Sequence, residues 1–310
     1  MRPDDTEEEG LTEGEYGGYE ARQPLPPPAV HEPLSWAGTT VPDAAIARFR
    51  DLIKAYYATY GRNFSWRRDI TPYRVLVSEI MLQQTQTSRV DEKFPAFIAR
   101  FGTFQELAEA PLSEVLRMWK GLGYNRRARF LHESAQRIVA EHGGVLPDDE
   151  KTLATLPGIG GATASSICAF AFNQPVVFIE TNIRSVFLYF FFNAQGQVHD
   201  RDILPLVTRA LDRTAPRAWY SALMDYGVFL KKTVGNVSRA SRHYTRQSPF
   251  AGSNRQLRGR ILQLLLDNRR LERGSVAGLL DEDAARVDTI INALIDESML
   301  IDQDNYLRLP

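Results

Sequence analysis

Leu156-Pro157-Gly158-Ile159-Gly160-Gly161 is a tight apolar turn between a helical segment, Lys151 to Thr155, and a second helix, Ala162 to Phe172. Its glycines let the chain reverse within a few residues and leave N–H groups facing outward at the start of the second helix. There the helix dipole and the free donors attract a phosphate oxygen. The stretch reads as a helix-hairpin-helix, with Pro157, Gly158, Ile159, Gly160 and Gly161 as candidate DNA-backbone contacts. Such contacts position a protein on DNA without reading its sequence. A plain helix connector also tolerates glycines, so the segments around the turn have to decide its meaning.

Two of those segments carry a carboxylate in apolar surroundings. In Thr71-Pro72-Tyr73-Arg74-Val75-Leu76-Val77-Ser78-Glu79-Ile80-Met81-Leu82 a cap and a first-turn proline start a helix, and Glu79 lies on its otherwise apolar face. Desolvation there raises a carboxyl pKa toward neutrality, the condition for a general acid, although a buried structural glutamate has the same signature. Gln83-Gln84-Thr85 closes the helix, either to probe bases or to cap it. In Val177-Phe178-Ile179-Glu180-Thr181-Asn182 an apolar run delivers Glu180 to the start of the next helix. An acid at a helix N-terminus needs no function. Paired with Glu79, it completes the division of labour of glycoside cleavage, one carboxyl protonating the leaving group and the other facing the sugar cation.

Composition narrows the setting. The 310 residues are 44% hydrophobic and 24% charged, ordinary for a globular chain, with no apolar stretch of transmembrane length. The start, MRPDDTEEEG, shows no secretory signal, so a cytoplasmic protein is expected. One cysteine, Cys168, excludes an internal disulfide and a three- or four-cysteine metal site. Residues 1–33 hold nine acids against two arginines, a net −7, which leaves +6 on the rest. Lys231 to Arg260 carries eight Lys/Arg and no acid, and Arg117 to His132 carries five and none, which suits a polyanion or else a solvated face.

Residues 1–38 are therefore expected to be a disordered acidic, proline-rich tail. From Pro42 on, helical spacing dominates: Ile46, Phe49, Ile53, Tyr56, Tyr57 and Tyr60 share one face, Val90, Phe94, Phe97, Ile98 and Phe101 another. Residues 42–246 should be all-α. The region 251–310 reads as a winged-helix-like module: helices around Ile261–Leu266, Ser275–Leu280 and Val287–Ile295, then a hairpin at Leu300-Ile301 and Tyr306-Leu307. Its ten acids against five arginines from residue 261 onward favour packing or a partner over groove reading.

Taken together, SEIMLQQTQT, MWKGLGYNRRAR, LPGIGGATA and IETNIRSV resemble the helix-hairpin-helix DNA glycosylases, and specifically the adenine glycosylase (MutY-like) branch, over roughly residues 42–230. The resemblance implies an all-α, two-lobed fold over residues 39–250, with a six-helix lobe at about 70–172 and a second lobe from 39–69 plus 173–250. It implies that Glu79 protonates the adenine ring, that Glu180 stands where the family has its catalytic aspartate, and that Gln83, Gln84 and Tyr124 fill or wedge the helix at the lesion. Arg126, Asn182, Lys231, Lys232, Arg239 and Arg242 join the hairpin as expected DNA contacts.

Three departures shape the expectation. Glutamate replaces aspartate at 180. No cysteines follow Met224-Asp225-Tyr226-Gly227, where many relatives begin an iron–sulfur motif; Lys231, Lys232, Arg239 and Arg242 stand there instead, so no cofactor or metal is expected. The larger C-terminal domain that reads oxidised guanine in the family has no counterpart of matching length. Ala162 occupies the position at which bifunctional members place a lysine, so water is the expected nucleophile and strand cleavage is not expected. The resulting expectation is a monomeric, monofunctional glycosylase acting on double-stranded DNA with a mismatched or damaged base, removing adenine opposite 8-oxoguanine or guanine. A thymine or uracil mismatch glycosylase and a catalytically silent DNA-binding protein are the alternatives.

Overall fold

The computed structural model describes residues 28–37, 40–193, 196–245 and 249–310. Two helical lobes meet along the hairpin helix, each built on its own apolar core. The first holds α2 (Pro72–Leu82), α3 (Thr87–Arg100), α4 (Phe104–Glu109), α5 (Leu112–Met118), α6 (Arg126–His142), α7 (Glu150–Leu153) and α8 (Gly161–Phe172). Its six expected helices become seven because α7 is a single turn. The second joins α1 (Asp43–Tyr60) to α9 (Thr181–Phe192), α10 (Asp200–Ala210) and α11 (Pro216–Thr233).

Local chemistry sets the helix starts. Thr71 accepts from Arg74 N–H ahead of Pro72, and Thr103 and Glu106 form a reciprocal capping box at α4. The aromatic stripe of α1 packs as its spacing requires: Phe49 is fully buried and meets Phe187, Phe190, Phe191 and Trp219 edge-on, at 5.0–5.8 Å between ring centres. Close approach matters at one glycine in particular. A Cβ on Gly227 of α11 would lie 2.6 Å from the Asn182 carbonyl oxygen, so only glycine lets α11 touch the start of α9.

The boundary of the acidic tail shifts. Residues 1–27 and 38 lie outside the described residues, but Leu34 is buried in the second core and its N–H donates to Phe190 O (3.1 Å). Trp36 packs on the same core beside Phe191 (6.1 Å between ring centres) and the Tyr189 hydroxyl donates to His31 O (3.0 Å), so residues 28–37 are docked onto the second lobe by several contacts.

The C-terminal region contains α12 (Asn254–Asp267), β1 (Leu271–Glu272), α13 (Val276–Leu280), α14 (Ala284–Asp296), β2 (Ile301–Gln303) and β3 (Tyr306–Arg308). The strands form an antiparallel sheet in the order β1-β3-β2, with Leu271 opposite Leu307 and Asp302 opposite Leu307 on the other side. The chain is thus mostly helical rather than all-α. The hairpin stands where expected, and β1 is new, since two residues are too short to show an alternation. Leu257, Ile261, Leu262 and Leu265 of α12 belong to the same buried cluster as the first-lobe core, so this module is packed onto that lobe. Glu297 ties it down by pairing with Arg126 and Arg258.

Candidate active site

The lobes enclose a cavity of about 440 Å³ whose walls include Glu79, Ser166, Glu180 and Asn182. Glu79 reaches it from α2, Ser166 from α8 and Glu180 from the N-terminus of α9, so three elements distant in sequence converge. Glu79 accepts a short hydrogen bond from Ser166 Oγ. Burial pushes its carboxyl up to about 7; the Ser166 bond opposes this, the Glu180 charge adds to it and Arg67 pulls against it. A carboxyl poised near neutrality suits proton donation.

Glu180 is held differently. It caps α9, its Oε1 accepting from the N–H groups of Asn182 (2.7 Å) and Ile183 (2.9 Å) and its Oε2 from Asn182 Nδ2 (3.3 Å). Burial moves its carboxyl upward from the usual range, against those donors and the nearby Arg184. The cap holds the carboxylate at the cavity wall.

The hairpin forms as the glycines require. Gly158 adopts φ +74°, and a Cβ there would come within 2.9 Å of Phe130. Ile159 is buried and anchors the turn, and Ser134 Oγ donates to Pro157 O (3.0 Å). Gly160 is the N-cap of α8 and offers no side chain to cap it, while a Cβ on Gly160 or Gly161 would meet nothing within 4 Å. The first turn of α8 is thus left open at the surface. Ala162 and Thr163 line the cavity of Glu79 and Glu180 from the same turn.

Gln83 ends α2, its Nε2 donating to Gly158 O (3.3 Å) and Thr163 Oγ1 (3.4 Å). Gln84 and Tyr124 both adopt left-handed backbone, φ +53° and +48°, at two neighbouring loop tips. The residue that holds those tips together is Arg127, which the sequence reading passed over in favour of Arg126. Buried Arg127 donates to Ile80 O (2.8 Å), Met81 O (2.9 Å), Thr85 Oγ1 (2.8 Å) and Gly123 O (3.0 Å), joining the end of α2 to the loop before α6. Arg126 itself pairs with Glu297 of the C-terminal region.

Lys231, Lys232, Arg239 and Arg242 lie outside the cavity, exposed on the end of α11 and the turn that follows; Arg242 shares a hydrogen bond with His199 (2.9 Å). That turn is fastened without thiols: Val237 and Ala240 are buried, and Val198 exchanges backbone bonds with Ala240 O (3.0 Å) and Arg242 N–H (3.1 Å). These donors do not fit an iron–sulfur cluster, which needs thiolate ligands. Cys168 is buried in α8, with burial pushing its thiol up to about 11.

Two further residues escaped the sequence reading. Asp225, buried in α11, binds the Arg62 N–H (2.7 Å) and Nε (2.8 Å) and the Arg67 Nη1 (2.9 Å), and both arginines line the cavity mouth. An acid within the apolar run Trp219-Tyr220-Ser221-Ala222-Leu223-Met224-Asp225 is the signal that exposed Glu79, and it was available here too. Ser166 gave none, because a serine in a small-residue helix is ordinary.

Residues 77–202 match the model of the HhH-GPD superfamily base excision DNA repair proteins. The adenine DNA glycosylase of Mycolicibacterium smegmatis is 33% identical over 278 residues, 79% of this chain and 90% of that protein. That of Mycobacterium tuberculosis is 35% identical over 68% of this chain and 76% of its own length. The human adenine DNA glycosylase is 38% identical over 152 residues, 46% of this chain and 28% of its own. Among solved structures, a thermostable thymine-DNA glycosylase superposes with a TM-score of 0.54 at 24% identity over 60% of this chain and 87% of its own, a likeness of fold. Endonuclease III from a non-covalent DNA complex superposes at 0.50 and 18% identity over 69% and 92%.

Proposed function

Since the chain belongs to the adenine DNA glycosylase family of base excision repair, within the HhH-GPD superfamily, we propose that it is a monofunctional N-glycosylase that removes adenine mispaired with 8-oxoguanine or guanine. The observation that carries this reading is the pairing of Glu79, poised near neutrality, with Glu180 in one cavity. With the target nucleotide flipped out of the duplex at a cost of a few kcal/mol, Glu79 donates its proton to a purine ring nitrogen. The C1′–N9 electrons pass into the base and the sugar is left cationic. Glu180 faces that cation with negative charge supplied by a side chain already locked to the helix. Water adds at C1′ and surrenders a proton to a carboxylate, so one glycosidic bond and one water become adenine and an abasic sugar.

Ala162 at the cavity wall supplies no amine for a Schiff base, which supports release without strand cleavage. The donors after α11 support an enzyme that works without an iron–sulfur cluster. The order α12-β1-α13-α14-β2-β3 supports a winged-helix reading of the C-terminal region. Among the described residues no helix is long and apolar enough to cross a membrane.

Single-turnover release from duplexes with adenine opposite 8-oxoguanine or guanine, and thymine or uracil opposite guanine, tests the reading. Adenine is expected to leave fastest, with no adduct trapped by borohydride. Faster release of either pyrimidine, or a robust trapped adduct, overturns it.

A further inference from the structure

Residues 261–310 hold ten acids and five arginines, and the fold sorts those charges by place. Arg273 is taken by Asp288 and Asp302, and Arg286 by Glu282. Arg269, Arg270 and Arg308 are exposed, and among the described residues none of the three is paired with a carboxylate. The acidic sum of the module therefore conceals three unpaired cations.

All three lie at the small sheet. The register that sets Leu271 opposite Leu307 and Glu272 opposite Tyr306 brings Arg270, one step on, opposite Arg308. Side chains alternate between the faces of a strand, so buried Leu307 faces the core while Arg270, Tyr306 and Arg308 share the outer face. Like charges set opposite one another weaken a sheet, and Glu272, the acid on that face, pairs with neither arginine. The Arg270 guanidinium lies over the Tyr306 ring, 3.7 Å from its centre. A guanidinium held over a ring keeps the N–H groups of its edge free for a phosphate. The helix α14 has the opposite character: it exposes Asp288 and Asp296, and its one arginine is Arg286, held by Glu282. A polyanion is repelled there and attracted to the sheet.

The sheet also ends a path that begins at the candidate active site. A cavity of about 730 Å³ between the first lobe and the module shares Gln83 with the cavity of Glu79 and Glu180. Its wall is α12, from Arg255, whose Nη1 donates to the Tyr124 hydroxyl (2.5 Å), to Leu266. Arg269 and Arg270 follow directly after α12 ends at Asp267. Its 14 residues span about 21 Å, or about six base-pair steps of duplex.

We propose that Arg269, Arg270 and Arg308 hold the phosphate backbone of duplex DNA about six base pairs from the target adenine, so that the C-terminal module meets DNA by the outer face of its sheet and not by α14. The inference rests on the glycosylase reading for the position of the duplex. Such a contact reads no sequence; it lengthens the footprint and anchors the protein beside the lesion.

The test uses the full chain and three duplexes with adenine opposite 8-oxoguanine, one with about five base pairs on either side and two lengthened by about ten on one side or the other. Affinity is read by fluorescence anisotropy with a 2′-fluoro target nucleotide that resists release. The wild-type protein is expected to bind one lengthened duplex about five-fold more tightly than the other. Arg270→Gln with Arg308→Gln should abolish that advantage and reduce the salt slope on the favoured duplex by about 2. Its melting temperature should stay at the wild-type value, since neither arginine has an ion pair to lose. Glu272→Gln should strengthen binding to the favoured duplex, an effect of opposite sign that misfolding cannot produce. Both variants should release adenine from the short duplex at the wild-type rate. An advantage that survives the double variant, a loss equal on all three duplexes, or equal wild-type binding to the two lengthened duplexes overturns the inference. No adenine release from any duplex, with the binding advantage present and lost as described, means that the glycosylase reading has failed while the sheet contact stands.

Discussion

The N-termini of α8 and α9 obey the same electrostatics and are finished in opposite ways. Both helices have twelve residues, begin from extended backbone and end on a left-handed asparagine. At α9 the chain supplies its own anion, Glu180, which takes two backbone N–H groups. At α8 the cap is Gly160, with no side chain and nothing within 4 Å of where one would begin. One helix end stores negative charge beside the cavity; the other is left open, as an external phosphate requires. Glu79 lies between them, bonded to Ser166 of α8, its carboxyl pushed up mainly by burial and further by the charge on α9. Under the proposed function the same dipole serves chemistry at α9 and anchorage at α8, according to whether the cap carries a carboxylate.

Replacing the group between the two helices should have the largest effect. Glu79→Gln keeps the shape and removes the proton, so single-turnover release should fall by about a thousand-fold or more with DNA binding retained. The same variant should be more stable at high pH. Because the folded carboxyl titrates near 7 and the unfolded one near 4.5, the native state holds the extra proton between those values. Wild-type stability therefore falls as pH rises through that window. Urea denaturation should show Glu79→Gln gaining up to about 3 kcal/mol over wild type at pH 8, with the gain disappearing toward pH 4.5; a pH-independent difference counts against the assignment.

Glu180→Gln neutralises the filled end while leaving an oxygen to accept from Asn182 and Ile183. Release should drop roughly a hundred- to thousand-fold with little change in melting temperature, and near-wild-type activity would show that the carboxylate serves only as a cap. Gly160→Asp makes α8 resemble α9. An aspartate cap in place of glycine should add only a few tenths of a kcal/mol of stability and weaken duplex binding about ten-fold, roughly the loss of one charge-assisted contact, as fluorescence anisotropy can measure. Unchanged binding would mean that this helix end does not meet DNA.

Smaller effects are expected farther out. Arg239→Gln with Arg242→Gln should lower affinity a few-fold on any sequence and reduce the salt slope by about 1–2; an unchanged slope removes that turn from the interface. Ser166→Ala deletes a bond that favours the ionised form of Glu79. Proton affinity then rises, and the alkaline limb of the release rate should move to higher pH with release otherwise retained; a limb that stays in place would leave Ser166 a packing residue.

Legibility followed sequence distance. The hairpin, the capping box at Thr103, the aromatic stripe of α1 and the placement of Glu79 in an apolar helix are patterns within a dozen or so residues, and the structure contains each of them. Asp225 joins Arg62 across 163 residues, Arg127 reaches Ile80 across 47 and Arg255 reaches Tyr124 across 131. No local period records such pairings. The positive run Lys231 to Arg260 looked like one feature and is divided by the fold: its first cations lie exposed on the last turn of α11 and the turn after it, whereas Arg255 and Arg258 turn inward beside Tyr124.

By itself the sequence determined which segments are helical, where the hairpin turns and which acids are set in apolar surroundings, because propensity, capping and hydrophobic spacing act between near neighbours. Tertiary structure decided that Glu79 and Glu180 share a cavity, that Ser166 tempers the first and two N–H groups hold the second, and that the C-terminal module lies against the Tyr124 loop. Those outcomes depend on the packing of whole lobes and on desolvation, whose strength at any carboxyl is set by everything folded around it.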